Sequence, residues 1–351
     1  MNRVLIVGEG YAGSRFRRAF EFLDDTGRLP AELAVADPRR LAADDRVRRY
    51  HDVETALDRF RPHVICNTTN EVAHEDVFHQ LRSYPRALVL TEKPLAHDGP
   101  SSVRSATSLS RHAVSMNLVE RFSPIVQQAR DWIRGLGPET TIMKVEADWG
   151  KNRVFDHRPT SGVMSEAIHV VDLVDLILTP LAGVAWDGHL TDSDYSRAGE
   201  PLPESFSAVG SSLGTRVTLS SSFAWPHRTR RIHALLRSGD HVYSFLMNFD
   251  DPKWDCDSLL IRELLPTGRY REELMTAVGL DDIHPRIRGI NKVVAFIEAS
   301  WSAWRTAATD PLIVDTDRAL ALQDILSAIE QGVRRAATPM SMHPVGWGGR
   351  P

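Results

Sequence analysis

The chain has 351 residues, 42% hydrophobic and 25% charged, with Lys+Arg 42 against Asp+Glu 46 and a formal net charge of -4. That length predicts two domains, and the charge balance argues against a nucleic-acid partner. Two distant cysteines, Cys66 and Cys256, argue against a disulfide framework or a cysteine-based zinc site, and no metal is expected.

Val4-Leu5-Ile6-Val7 is a short apolar run closed by glycines, which predicts a buried parallel strand. It starts too soon after Met1 for a signal peptide. Phe16, Ala19, Phe20 and Leu23 then recur at helical spacing. Leu33–Ala36 is the next strand, ending at Asp37, and His63–Asn67 is another, broken by Thr68-Thr69-Asn70. A helix is predicted over Val72–Leu81, a strand over Ala87–Thr91, a helix near Ser101–Leu109 and a strand at Ala113–Met116. This alternation implies a doubly wound parallel sheet of Rossmann type over residues 1–122.

After Ser123 the period changes. Met143, Val145, Ala147 and Trp149 alternate with Lys144, Glu146 and Asp148, the mark of a strand with one covered and one wet face. Further alternating strands are predicted at Phe206–Leu213, Arg216–Phe223, Arg231–Leu236 and Val242–Phe249. They predict an α+β domain over 123–338, built on a large, mostly antiparallel open sheet. Helices are predicted near Ile290–Trp304 and Arg318–Ile329, one of them packing back on the first domain. Residues 339–351, rich in Gly, Pro and Met, are read as a disordered tail or an arm on a partner subunit. No run of roughly 18 apolar residues occurs, so no membrane span is expected, and the cytoplasm is the expected location.

Gly8, Gly10 and Gly13 form G-x-G-x-x-G between a strand and a helix. The first glycine allows the tight turn, the second lets the backbone approach a pyrophosphate, and the third permits close helix–strand packing. Tyr11 and Ala12 complete the turn. Asp37 is placed to accept from a ribose 2′-OH, which favours NAD(H), while Arg39 and Arg40 leave NADP(H) open. Downstream, a buried strand ends in Glu92-Lys93-Pro94 and so delivers an ammonium to the mouth of the sheet.

These residues, with Asn67, Thr68, Thr69, His74, Asn117, Arg121, Pro124 and the pair His169-x-x-Asp172, give the chain a resemblance to the glucose–fructose oxidoreductase and inositol dehydrogenase family (Gfo/Idh/MocA). The resemblance spans almost the whole length. It implies a lysine, here Lys93, near the nicotinamide and the substrate oxygen, and an oligomer, homodimer or homotetramer, through the C-terminal sheet. Asn67, Thr68, Thr69, His74 and Glu92 are carried over as cofactor-side residues. The family usually has an aspartate four residues before the histidine; here Ser165 stands there, with Glu166 beside it.

Lys93 has its own rationale, because an ammonium beside a carbonyl oxygen stabilises the charge that develops as hydride arrives. His169 can take or give the hydroxyl proton. Ser165, Glu166, His169 and Asp172 share one side of a helix. Glu92 is expected to pair with Lys93, and Asp172 with the His169 ring. Tyr11, Arg121, Trp149, Arg153 and Arg158 are candidate substrate contacts, the last two suiting a carboxylate or phosphate.

The expected activity is hydride transfer to or from a carbinol or ketone carbon of a sugar, nucleotide sugar, cyclitol or related polar metabolite. The competing readings are C=N reduction, glycoside cleavage through transient oxidation with no net redox change, and a cofactor-binding regulator without catalysis.

Overall fold

The structure, a computed structural model, describes residues 2–39, 46–156, 160–196, 201–334 and 338–341. Two compact units emerge. One comprises 1–122 with 280–323, the other 123–279 with 324–351.

The first unit runs β1 (Asn2–Val7), α1 (Tyr11–Asp25), β2 (Ala31–Ala36), β3 (Val47–Tyr50), α2 (Val53–Phe60), β4 (Val64–Asn67), α3 (His74–Leu81), β5 (Leu88–Thr91), α4 (Gly99–Leu109) and β6 (Ala113–Met116). All six strands are parallel, in the order β3-β2-β1-β4-β5-β6. Val4 to Val7, Val64 to Asn67 and Leu88 to Thr91 are buried throughout, as strands covered on both faces must be. The order reverses between β1 and β4, and in open α/β sheets that switch point is where ligands bind. β3 escapes the sequence pattern because Val-Arg-Arg-Tyr has only one buried residue.

The second unit opens with α5 (Pro124–Gly135), β7 (Thr141–Asn152) and α6 (Met164–Ile177). It continues through β8 (Trp186–Ser193), β9 (Leu202–Ser212), β10 (Thr215–Ser222), β11 (Ala224–Ser238), β12 (His241–Asn248), β13 (Asp257–Leu264) and β14 (Tyr270–Val278). The chain then returns to the first unit for α7 (Asn291–Thr306), and α8 (Thr316–Arg334) precedes β15 (Thr338–Met340). The nine strands lie in the order β14-β13-β12-β11-β7-β10-β9-β8-β15, antiparallel except for the β7–β10 and β8–β15 pairs. The start of the expected tail is therefore a strand: Thr338–Met340 pairs with Thr191–Ser193 of its own sheet.

Val145, Ala147 and Trp149 of β7 face the core, whereas Met143, at the strand's start, stays exposed. α6 is apolar nearly all round and buried from Met164 to Val174. No helix among the described residues is long and apolar enough to cross a membrane.

Candidate active site

The glycine turn sits at the carboxyl end of β1. Gly8 has φ +86° and its amide donates to the Ala36 carbonyl (2.8 Å), so the chain turns away from β1 into α1 through a conformation that suits glycine. A Cβ on Gly13 would lie 2.0 Å from the Gly8 carbonyl oxygen; α1 and the turn touch backbone to backbone. Thr68 locks the neighbouring strand end, its hydroxyl donating to the carbonyls of Val7 (2.9 Å) and Gly8 (2.6 Å).

Gly10 caps α1 without any side-chain acceptor, and the first turn of the helix carries no acid. The N-terminal amides of α1 are thus available to an anion, and the turn fits a pyrophosphate. A Gly13→Ala variant is expected to lose about 1–3 kcal/mol of stability or more through overpacking and to bind dinucleotide far more weakly. Denaturant unfolding and a fluorescence titration with NADH measure both; wild-type values would remove Gly13 from the packing role.

Asp37 ends β2. Its carboxylate accepts from the Glu9 amide (2.7 Å) and from the Arg39 amide, Nε and guanidinium NH2 (2.9, 2.9 and 2.6 Å). The Arg39 guanidinium holds the Asp37 carboxyl down at about 2, against the opposing effect of burial. Asp37 is therefore an anion at neutral pH. Glu9 adds a second carboxylate here, paired with Arg17 (2.9 Å) and Arg49 (2.6 Å). Arg40 lies outside the described residues.

Across the sheet, β5 delivers Glu92-Lys93-Pro94. Glu92 takes a partner that the sequence reading did not give it: its Oε1 accepts from Asn117 Nδ2 (2.7 Å) at the end of β6. His74 is wholly buried at the start of α3, with Nδ1 2.9 Å from the Pro94 carbonyl and Nε2 3.2 Å from the Thr69 carbonyl. Burial lowers its pKa, so the ring is neutral and donates to one carbonyl at a time. His74 thus braces the lysine turn against the loop after β4. Asn67, also fully buried, accepts from the Thr69 hydroxyl (2.7 Å), and its Nδ2 has no acceptor among the described residues. Arg121, fully buried, donates to the carbonyls of Pro311 (3.1 Å) and Leu312 (3.4 Å) and so ties down that segment of the unit. Tyr11 stays exposed at the head of α1.

In the second unit, His169 is buried on α6 and lies nearly parallel to Trp149 of β7, with ring centroids 5.8 Å apart and 19° between planes. Trp149, a candidate substrate contact by sequence, is fully buried beneath the His169 ring. Behind Trp149 stands Arg230 of β11, 5.0 Å from its ring. Arg230 bridges two buried acids, Glu166 of α6 (2.9 Å) and Asp250 after β12 (2.5 Å). Lys151 of β7 donates to the other Glu166 oxygen (2.5 Å). Ser165 turns its hydroxyl back onto the Gly162 carbonyl (2.9 Å), closing the start of α6. Asp172 is buried one turn beyond His169.

Arg153, expected to grip an anion, is held by Asp156 (2.9 Å) over the Phe223 ring. Arg158 lies outside the described residues. Sequence reasoning passed over Arg230 and Lys151. Only strand alternation pointed to Lys151, two residues beyond Trp149 and so on the same face of β7. Among the described residues no group of three His, Cys, Asp or Glu is placed to hold a metal.

No family model matches the chain, and no curated protein matches it. Solved structures do. The chain is similar to levoglucosan dehydrogenase in complex with NADH and L-sorbose, at 16% identity and a TM-score of 0.74, over 95% of this chain and 97% of that one. The same enzyme with NADH and levoglucosan gives 16% and 0.72 over the same shares. KijD10, a 3-ketoreductase from Actinomadura kijaniata, in complex with NADP and TDP-benzene, gives 16% and 0.69, over 97% and 99%. At these identities the likeness establishes the fold: a parallel six-stranded sheet with a larger, mostly antiparallel one.

Proposed function

We propose that the chain is an NAD(P)-dependent oxidoreductase of the glucose–fructose oxidoreductase and inositol dehydrogenase type, acting on a carbinol or ketone carbon of a sugar or related polar metabolite. One observation carries this. The glycine turn and Lys93 stand at the carboxyl ends of β1 and β5 in one parallel sheet, with only β4 between them. Two strand spacings are about 10 Å, a distance a bound dinucleotide spans.

The nicotinamide, when bound, supplies the hydride acceptor or donor. The glycine turn and the α1 amides hold the pyrophosphate. Asp37, ionised and at the end of β2, suits a ribose 2′-OH and opposes a 2′-phosphate, which favours NAD(H). Lys93 stabilises negative charge on the substrate oxygen, and His169 takes the hydroxyl proton during oxidation and returns it during reduction. Trp149 keeps the His169 ring in one plane. The neighbours' named ligands, NADH with sugars and NADP with a TDP compound, agree with this class.

Assembly as a homodimer or homotetramer through the nine-stranded sheet belongs to the same proposal. Its support is the exposed Tyr270 and Met275 on β14, an edge strand.

The test is a panel of sugars, sugar acids and cyclitols offered with NAD and with NADP, followed at 340 nm. Turnover with NAD ahead of NADP is the expected result. Product release at constant absorbance would replace the reading with glycoside cleavage, and silence across the panel would leave a binding protein.

A further inference from the structure

Asn117 follows β6 and stands beside the lysine turn, across the β5–β6 pair in which Thr91 faces Met116. Its backbone N–H donates to the carbonyl of Thr91, the last residue of β5 (2.8 Å), and its Nδ2 donates to Glu92 Oε1 (2.7 Å). One residue thus grips two successive positions of the turn, the first through main chain and the second through side chain. From the other neighbouring strand, the Asn67 carbonyl accepts from the Glu92 N–H (2.9 Å). The Thr91 hydroxyl donates to the Glu92 carbonyl (3.1 Å). Lys93 is the next residue, so its backbone starts from a fixed point.

As a purely structural element the Asn117 side chain is a costly choice. The residue is 6% exposed, and its Oδ1 has no donor among the described residues. A buried acceptor left unsatisfied costs about 1–3 kcal/mol, and an apolar group of the same shape avoids that cost. What the amide contributes is one bond to Glu92. It is also a neutral donor, so it fixes the Glu92 carboxyl group without cancelling its charge, as a lysine or arginine in its place would.

We infer that Asn117 is a positioning residue for hydride transfer. By fixing Glu92 it fixes the turn that carries Lys93, so that the ammonium meets the substrate oxygen in one geometry. This rests on the redox reading above and deepens it. The ammonium is useful only where it is placed, since a displacement of about 1 Å in a reacting geometry can cost about 10²-fold in rate.

Asn117→Leu removes the donor and the unsatisfied acceptor together. Glu92 is half-buried, so water can replace the lost donor and the fold has no reason to fail. Single-turnover hydride transfer, followed at 340 nm with the panel sugar that wild type turns over fastest, should fall about 10–100-fold. The loss should appear in kcat and not in KM, with NADH affinity unchanged. In a Glu92→Ala background, Asn117→Leu should slow the reaction no further, because a residue that acts through Glu92 has nothing left to act on.

A second measurement needs no substrate. Competitive acetylation with acetic anhydride, read by mass spectrometry, compares the reactivity of Lys93 with that of Lys144 on β7. Asn117→Leu should change that ratio severalfold. A hydride-transfer rate equal to wild type would overturn the inference, and so would losses that add in the double variant, which mark a structural role independent of Glu92. If wild type turns over nothing on the panel, the redox reading fails. The acetylation ratio then decides by itself whether Asn117 positions Lys93: a changed ratio sustains that placement, and an unchanged one ends it.

Discussion

Lys93→Ala should lower the rate of hydride transfer by about 10²–10³, the size of effect seen when one preorganised donor to a developing oxyanion is removed, while NADH affinity changes little. The separation follows from the fold. The cradle proposed for the pyrophosphate is backbone of the Gly8–Gly13 turn and α1, and Asp37 follows a different strand, so neither depends on the lysine side chain. The turn bearing Lys93 is held through its neighbours: Glu92 by Asn117, and the Pro94 carbonyl by His74. Truncating the lysine therefore removes the ammonium and leaves its platform. Single-turnover absorbance at 340 nm gives the rate, and a fluorescence titration gives the affinity. Turnover equal to wild type would remove Lys93 from the chemistry. A parallel collapse in NADH affinity would reassign it to cofactor binding.

Arg230→Met should be the most damaging single change in the second unit, costing about 3–5 kcal/mol, or roughly 10 °C in Tm. Glu166 and Asp250 are both buried, and Arg230 is the cation they share. Without it, Asp250 loses its guanidinium partner while the hydrogen bond from the Asp255 amide (2.9 Å) remains, and Glu166 keeps Lys151. A buried carboxylate without its counter-charge favours the protonated form, so its pKa rises on folding. Such a group binds more protons folded than unfolded, and the deficit of the variant should shrink as the pH falls toward the carboxylate range. Urea unfolding at pH 7.5 and at pH 5 measures both effects. A loss under about 1 kcal/mol at neutral pH would show that the cluster is not the keystone its burial suggests. Replacing Glu166, Arg230 and Asp250 together by apolar residues of similar size should recover most of the stability, since what is costly is an unbalanced charge.

Much of the first unit was legible because its signals are local. A strand covered on both faces needs an unbroken apolar run, and Val4–Val7 and Leu88–Leu90 are such runs. A turn that brings helix against strand excludes a Cβ, and Gly13 records that exclusion directly. The alternation of β7 announced a sheet with one wet face. β3 was missed because an edge strand with one buried residue leaves no periodic trace.

In the second unit the candidate residues were legible only as a list. Four positions on one helix side marked out Ser165, Glu166, His169 and Asp172, but their roles differ from that pattern. Ser165 serves the backbone, and Glu166 serves Arg230 and Lys151. Trp149 looked like a substrate contact and is fully buried, its ring stacked on His169. Arg153 looked like an anion grip and is tied to Asp156.

What the sequence by itself determined is whatever depends on neighbours a few positions away: the parallel sheet, the glycine turn, the acid at the end of β2 and the lysine at the end of β5. Only the tertiary structure decided which ionised groups meet. Arg230 lies 64 residues from Glu166 and 20 from Asp250, and no local pattern encodes those separations. The physical reason is burial. Backbone turns and apolar strands are specified by short-range sterics and periodicity, whereas a buried charge is tolerable only beside its partner, and the partner is chosen by how distant strands pack.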